Sequence, residues 1–491
     1  MLRPADRIFT PILLTAAVMV INFITMPAEE YRGDAEAVRA ETVTLLNEGR
    51  WAVPEQIAAE FGPRGQYFYQ TTGGSWYPKY GILNTLIYLP PLWLEKLVTG
   101  SLHWESERTL YLNLLNLIFS GATAFYLALL ALRYTKSSAV AWLFVLASLY
   151  ATFWWNYLRA QTFEIYLTLF LIAFFYHFVS ARTAAPANTK HRSYHLLAAG
   201  LYLGALCLSK TAFSVLLPAV AFLWLISAGA SPPVDNSLRR ALIFWIPVAI
   251  SVGAVLASHA YKFGSPFHSG YTQWEEEKDL FTIDILPALR GYFFSIQTSV
   301  WAHFPTLILA VFGWPAFLKK YRFDALTAVS LGLLILAVSV ARPEWRGGSC
   351  YGPRYLLPVL PIVSLPLILA LPQWSVVRHR LFRWASAVAV AVMLLYSVRL
   401  QIGVNSLPFF FWYDLYAVPR DEAVSDSSAY LHSRHIGTIN LDFIRSARGK
   451  FSPLHAFTDV LEPEARARIE ALKATTNLNY FLFPYPVQPA R

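Results

Sequence analysis

Charge is scarce in this chain of 491 residues: 14% are Asp, Glu, Lys or Arg, against the roughly 25% usual in soluble domains. That deficit excludes an ordinary water-soluble enzyme. Cysteine is scarcer still. The two present, Cys207 in an apolar run and Cys350 beside glycine-rich sequence, exclude a disulfide framework and match no zinc spacing. The P-loop, GxGxxG, HExxH, paired CxxC and GxSxG signatures are all missing, so nucleotide binding, zinc hydrolysis and serine hydrolysis have no support. Internal repeats, Gly/Ser linkers and low-complexity tracts are lacking too.

What the chain has in abundance is apolar sequence: 56% hydrophobic and 16% aromatic residues, with mean hydropathy +0.42. A helix crosses the hydrocarbon core with about 20 mainly apolar residues. Eleven segments meet that need, near 8–26, 109–132, 138–156, 163–180, 195–209, 211–228, 240–260, 302–318, 325–341, 355–371 and 383–400. The fold expected is therefore an all-α polytopic membrane protein with about 11 transmembrane helices. Segments 195–209 and 211–228 are divided at Ser209-Lys210, because one long helix would hold Lys210 at bilayer depth at a cost of several kcal/mol.

Basic loops set the orientation. Arg3 and Arg7, Arg133 and Lys136, Lys190 and Arg192, Arg239 and Arg240, Lys319 to Arg322, and Arg378 to Arg383 all fall on one side if 81–98 is left out of the bilayer, as the positive-inside bias requires. Pro90-Pro91 removes two backbone donors from that segment, which suits an interfacial or re-entrant helix. The expected topology is N-terminus inside (cytoplasmic) and C-terminus outside. The N-terminal run, with no small-residue cleavage site after it, reads as a retained anchor.

Two regions are expected: a transmembrane domain over 1–400, including a first outer loop at 27–108, and an outer-face tail or small α/β appendage over 401–491. The tail carries nine basic and nine acidic side chains, so the net charge of +10 belongs to the membrane part. That placement fits retention loops and phosphate contacts and argues against nucleic acid.

Candidate chemistry gathers on the outer side. Glu29, Glu30 and Asp34 follow the first span closely, placing a carboxylate at the height of a lipid headgroup. Asp34 is equally suited to capping the helix that follows, and the two roles are compatible. Tyr77, Lys79 and Tyr80 lie in WYPKYG; aromatics at a membrane boundary are commonly belt residues, and a lone lysine is commonly solvated. In WNYLRAQTFE, Arg159, Gln161 and Glu164 stand at the mouth of a span, where a short glutamate cannot snorkel and is functional by default. Lys79, Arg159, Lys210, Arg290, Arg346 and Arg354 together make a cationic ring suited to a lipid phosphate. YKFGSPFHSGY (261–271) and RPEWRGGSCYGPRYLLPVLP (342–361) combine glycines, aromatics and basic residues, and contribute His268, Tyr271, Trp345 and Tyr351, which join Tyr77 and Tyr80 as candidate substrate-cavity residues. Physical grounds alone also allow tight turns there.

The Asp34 loop, YPKYGILNTLIYLPPLW, the LSK ending at Lys210, YKFGSPFHSGY and WRGGSCYGPRYLLPVLP occur in one order and share an outward placement. In these the chain resembles the GT-C-type membrane glycosyltransferases related to dolichyl-phosphate-mannose protein mannosyltransferases and to the lipid A aminoarabinose and galacturonic acid transferases, over roughly residues 8 to 400. The resemblance implies a cell-envelope hexosyl or pentosyl transferase that moves a sugar from a polyprenyl-phosphate donor to a lipid, glycan or protein acceptor, with inversion. It also implies that the membrane is a bacterial inner membrane and that the outer side, with the C-terminus, is the periplasm. It implies Asp34 and Glu164 as catalytic carboxylates. Lys79, Arg159, Lys210, Arg346 and Arg354 become the donor-phosphate set. Relatives carry an Asp-Glu or Asp-Asp pair where this chain has Asp34-Ala35-Glu36, which counts against a divalent cation; Asp34 is the one candidate ligand, for Mg or Mn. The competing reading is a lipid or solute transporter or flippase, which also needs charges facing a cavity. A purely structural scaffold leaves Glu164, Lys210 and the glycine-rich loops without a purpose.

Overall fold

The computed structural model describes residues 4–26, 34–61, 67–104, 110–159, 162–183, 189–229, 237–271, 285–294, 299–342, 345, 352–373 and 380–405. The chain is mostly helical. After α1 (Pro4–Thr25) come α2 (Asp34–Glu48), α3 (Glu55–Glu60), a two-stranded antiparallel ribbon of β1 (Phe68–Gln70) and β2 (Trp76–Pro78), and α4 (Ile82–Thr99). The bundle continues with α5 (Leu110–Tyr134), α6 (Ser138–Tyr150), α7 (Trp154–Arg159), α8 (Glu164–Thr183), α9 (Thr189–Ser209), a 3-10 turn (Thr211–Val215), α10 (Leu216–Gly229) and α11 (Ser237–Phe263). It closes with α12 (Leu286–Phe294), α13 (Val300–His303), α14 (Leu307–Lys320), α15 (Arg322–Val340), a 3-10 turn (Arg354–Leu356), α16 (Leu360–Val363), α17 (Leu367–Gln373) and α18 (Arg380–Asn405).

Among the described residues five helices are long and apolar enough to cross a membrane: Ile8–Thr25, Leu110–Tyr134, Glu164–Thr183, Leu238–Phe263 and Arg322–Val340. Shorter apolar helices cover Ser138–Tyr150, Thr211–Ile226, Leu360–Ala370 and Ala387–Arg399. The protein is an integral membrane protein. The appendage expected beyond 405, like Arg346 and Tyr351, lies outside the described residues.

Helix α8 is the centre of the bundle. Its sequence is apolar on every side and its residues are buried nearly throughout, as expected for a helix surrounded by others. Helices α5 and α9 pack along it, α1 along α5, and α11 along α9. Gly200 and Gly204, one turn apart, let α9 press directly on α11: a Cβ at Gly200 would run into the Phe244 carbonyl. At the end of α8 away from Glu164, Arg133 Nε and the Tyr134 hydroxyl donate to Asp324 Oδ2 at 3.1 and 3.0 Å, and Arg133 Nη1 donates to Thr183 Oγ1 at 3.0 Å. Polar side chains thus cross-brace α5, α8 and α15 where hydrophobic burial between helices is weak in lipid.

Helix α4 is polar inside and apolar outside. Asn84, Thr85 and Glu95 are buried, whereas Trp93, Leu94, Leu97 and Val98 are exposed, the distribution of a helix bathed on one face by lipid. Its inner face meets α2 through charge. Arg39 Nη2 donates to Glu95 Oε1 at 3.2 Å, and the Thr85 hydroxyl donates to Glu41. The helix runs through Pro90 and Pro91 to a left-handed cap at Gly100.

Candidate active site

Six separate stretches of chain meet at one cavity. It is lined by Asp34, Lys79, Tyr80, Gly81, Phe163, Ser209, Lys210, Thr211, Tyr271 and Arg354. The helical division expected at Ser209-Lys210 is present: α9 stops at Ser209, Lys210 adopts extended backbone (φ −150, ψ 108), and the 3-10 turn begins at Thr211. A break there lifts the lysine out of the helix and turns it to the cavity.

Glycine brings the stretches together. A Cβ on Gly81 would collide with the Leu208 and Ser209 carbonyls, so YPKYG lies flat against the end of α9. Asn84 Nδ2 reinforces the contact by donating to the Ser209 carbonyl at 3.0 Å, and the Tyr166 hydroxyl donates to Asn84 Oδ1 at 2.6 Å. Gly270 meets the Lys79 backbone in the same way. YKFGSPFHSGY itself is a helix end: α11 closes at Phe263, and Gly264 takes the left-handed conformation (φ +78) of a C-terminal cap. Lys262 is buried and pairs with Glu41 of α2, under the Trp51 ring, which docks the end of α11 on the first loop.

Arg354 links the two carboxylates. Its Nη2 donates to Asp34 Oδ2 at 2.5 Å and its Nε donates to Glu164 Oε1 at 2.7 Å. Lys210 Nζ stands 3.9 Å from the same Glu164 oxygen. The Tyr80 hydroxyl donates to Asp34 Oδ1 at 2.5 Å. Burial alone would raise the Asp34 pKa, yet the charges of Arg354 and Lys79 and the hydrogen bonds from Tyr80 and Arg354 hold it at about 2. Burial drives the Lys210 ammonium down to about 8, against the upward pull of Glu164. Burial, with Asp34 alongside, pushes the Tyr80 phenol well above its ordinary value, keeping it a proton donor.

Aromatic rings cup the cations. Lys79 Nζ lies 5.0 Å from the Tyr271 ring centroid, Lys210 Nζ 4.7 Å from that of Tyr355, and the Arg342 guanidinium 5.3 and 5.2 Å from Tyr271 and Tyr355. Arg342 and Tyr355 were not singled out in the sequence, although both sit in the 342–361 stretch that was. Nothing in the order of residues couples Glu41 to Lys262, which pair only once the chain is folded.

Other candidates lie elsewhere. Arg159 Nε donates to the Thr25 carbonyl at 2.9 Å, tying α7 to α1. Tyr77 is buried with its ring 5.9 Å from Tyr261. His268 and Arg290 are exposed. The Trp345 ring fills the space above Gly291, and the Tyr292 hydroxyl donates to its carbonyl. None of these lines the cavity. Nor do the residues suit a resident metal. Both Asp34 oxygens are engaged by Tyr80 and Arg354, and no three His, Cys, Asp or Glu side chains gather among the described residues in a way that could hold one.

No family model matches the sequence, and no curated protein matches it. Among solved structures, the chain is similar to ArnT from Cupriavidus metallidurans bound to undecaprenyl phosphate, with 14% identity and a TM-score of 0.44, covering 89% of this chain and 71% of that one. It is also similar to the oligosaccharyltransferase AglB from Archaeoglobus fulgidus in complex with an inhibitory peptide and a dolichol-phosphate, with 11% identity and a TM-score of 0.48, covering 99% of this chain and 61% of that one. The same oligosaccharyltransferase, solved with Zn and sulfate, gives 13% identity and a TM-score of 0.46, covering 99% and 57%. The chain spans about three fifths of the oligosaccharyltransferase's length.

Proposed function

We propose that the protein is a GT-C-type glycosyltransferase that takes a sugar from a polyprenyl-phosphate donor and passes it to a lipid, glycan or protein acceptor on the periplasmic face of a bacterial inner membrane. The observation that carries this reading is one cavity in which Asp34 faces Lys79, Lys210 and Arg354. A carboxylate for the incoming hydroxyl beside cations for a departing phosphate is the minimum a displacement at a sugar carbon needs. The lipid-facing apolar side of α4 supports entry of a lipid-linked donor at this end of the bundle.

In this reading the acceptor oxygen attacks the anomeric carbon as Asp34 takes its proton. The bond from that carbon to the phosphate oxygen breaks, and the phosphate leaves with the electron pair. Lys79, Lys210 and Arg354 stabilise the charge that gathers on it, and one displacement inverts the sugar carbon. Glu164 fixes Arg354 and Lys210 in place from the buried end of α8. Tyr80 orients Asp34. The chemistry uses these side chains alone and assigns no step to a divalent cation.

Asp34→Asn keeps the shape of the site and removes the base. Transfer of radiolabelled sugar is expected to fall by about 100-fold or more, with an unchanged gel-filtration profile in detergent. Activity near that of the unaltered protein would refute the assignment.

A further inference from the structure

Arg354 is spent before any ligand arrives. It is nearly buried, 8% exposed, and bonds Asp34 and Glu164 together. Tyr80 takes the remaining Asp34 oxygen. An acceptor hydroxyl reaching Asp34 in this state meets a carboxylate engaged at both oxygens and paired with a guanidinium. Held at about 2, that carboxylate is ionised but a feeble base. A phosphate group entering the same cavity meets Lys79 and Lys210 as well as Arg354. Planar guanidinium pairs with phosphate oxygens at least as well as with a carboxylate, so the two lysines decide the exchange in the phosphate's favour.

We propose that Arg354 is a shared counter-ion that masks Asp34 in the ligand-free protein and transfers to the donor phosphate on binding, so that the base is released only when the donor is in place. This inference rests on the proposed function above and adds its regulation. Its physical content is competition: Asp34 and the phosphate draw on one guanidinium. Removing the carboxylate's charge therefore strengthens phosphate binding, even though it abolishes transfer.

The test is a binding cycle on the full chain in nanodiscs, with polyprenyl phosphate and inorganic phosphate as the two probes. Asp34→Asn is expected to tighten polyprenyl phosphate by about three- to tenfold. Simple repulsion between Asp34 and phosphate would also tighten binding, so the same substitution is repeated in an Arg354→Gln background, where the gain is expected to vanish. Should Arg354→Gln fail to fold, Arg354→Met replaces it; this variant keeps the length of the side chain but carries no charge for Asp34 and the phosphate to share, and the gain is expected to vanish likewise. A gain that persists in either background, or an Asp34→Asn variant that binds no more tightly than the unaltered protein, overturns the shared counter-ion while leaving the proposed function standing. Absence of polyprenyl-phosphate binding by the unaltered protein, or inorganic phosphate binding as tightly as the lipid, overturns the donor reading itself.

Discussion

At the scale of single residues, the site is decided by which charges are held out of water and by what. Asp34 and Lys210 share a cavity yet shift for different reasons. Two cations and two donors overcome the cost of burying Asp34, whereas for Lys210 burial and the neighbouring Arg342 and Arg354 overcome the help from Glu164. The sign for lysine is plain: the cation is present below about pH 8 and lost above it. Binding of polyprenyl phosphate is therefore expected to weaken as pH rises from 7 to 9, and Lys210→Arg, always charged, to abolish that weakening. Titration of labelled lipid phosphate at fixed ionic strength measures both, and an unchanged profile in the arginine variant would remove Lys210 from the site. Asp34, Lys79, Lys210 and Arg354 stood out in the sequence as outward charges within the stretches that carry the family resemblance, and the fold brings all four to one cavity. Arg342 was harder to see. Its service to Tyr271 and Tyr355 depends on where two other chain segments come to rest.

At the scale of elements, the apolar runs announced most of the helices, and the lysine that divides α9 from the following 3-10 turn lies where the cost of burying it placed the break. Pro90 and Pro91 do not end α4, which continues to Thr99. What the sequence did not disclose was which elements would meet. Glu41 and Lys262 look like ordinary surface charges in a linear reading, yet they pair in the interior between α2 and α11. Removing one partner strands a buried charge, so Lys262→Ala is expected to cost about 3–5 kcal/mol, read as a lowered thermal midpoint in detergent. The double replacement Glu41→Leu with Lys262→Met is expected to recover much of that loss; no recovery would show that the pair is not the cause. Gly81→Ala tests the join between YPKYG and the end of α9. Overpacking there is expected to cost about 1–3 kcal/mol and to lower polyprenyl-phosphate affinity, since Lys79 and Tyr80 are carried away from Lys210. Unaltered stability and binding together would show that the contact yields without consequence.

At the scale of the whole molecule, the arrangement is a buried helix, α8, presenting Glu164 at its end to residues carried by the first loop, the α9 terminus and the 3-10 turn at Arg354. Helices α1, α4 and α11 each carry exposed apolar side chains while the centre is polar, the reverse of a water-soluble protein and the distribution the proposed use of a lipid-linked donor requires. The sequence made that form evident through its deficit of charge. It could not reveal that Arg354 bridges Asp34 to Glu164, because these residues are separated by 320 and 190 positions. The most direct test of the central claim is transfer by the purified full chain in nanodiscs, offered a panel of radiolabelled polyprenyl-phosphate sugars with native membrane extract as acceptor, beside the Asp34→Asn variant. Label passing to an acceptor with the unaltered protein and not with the variant is the predicted result. A donor left intact, while labelled lipid crosses liposomes containing the protein, would contradict it and establish a flippase instead.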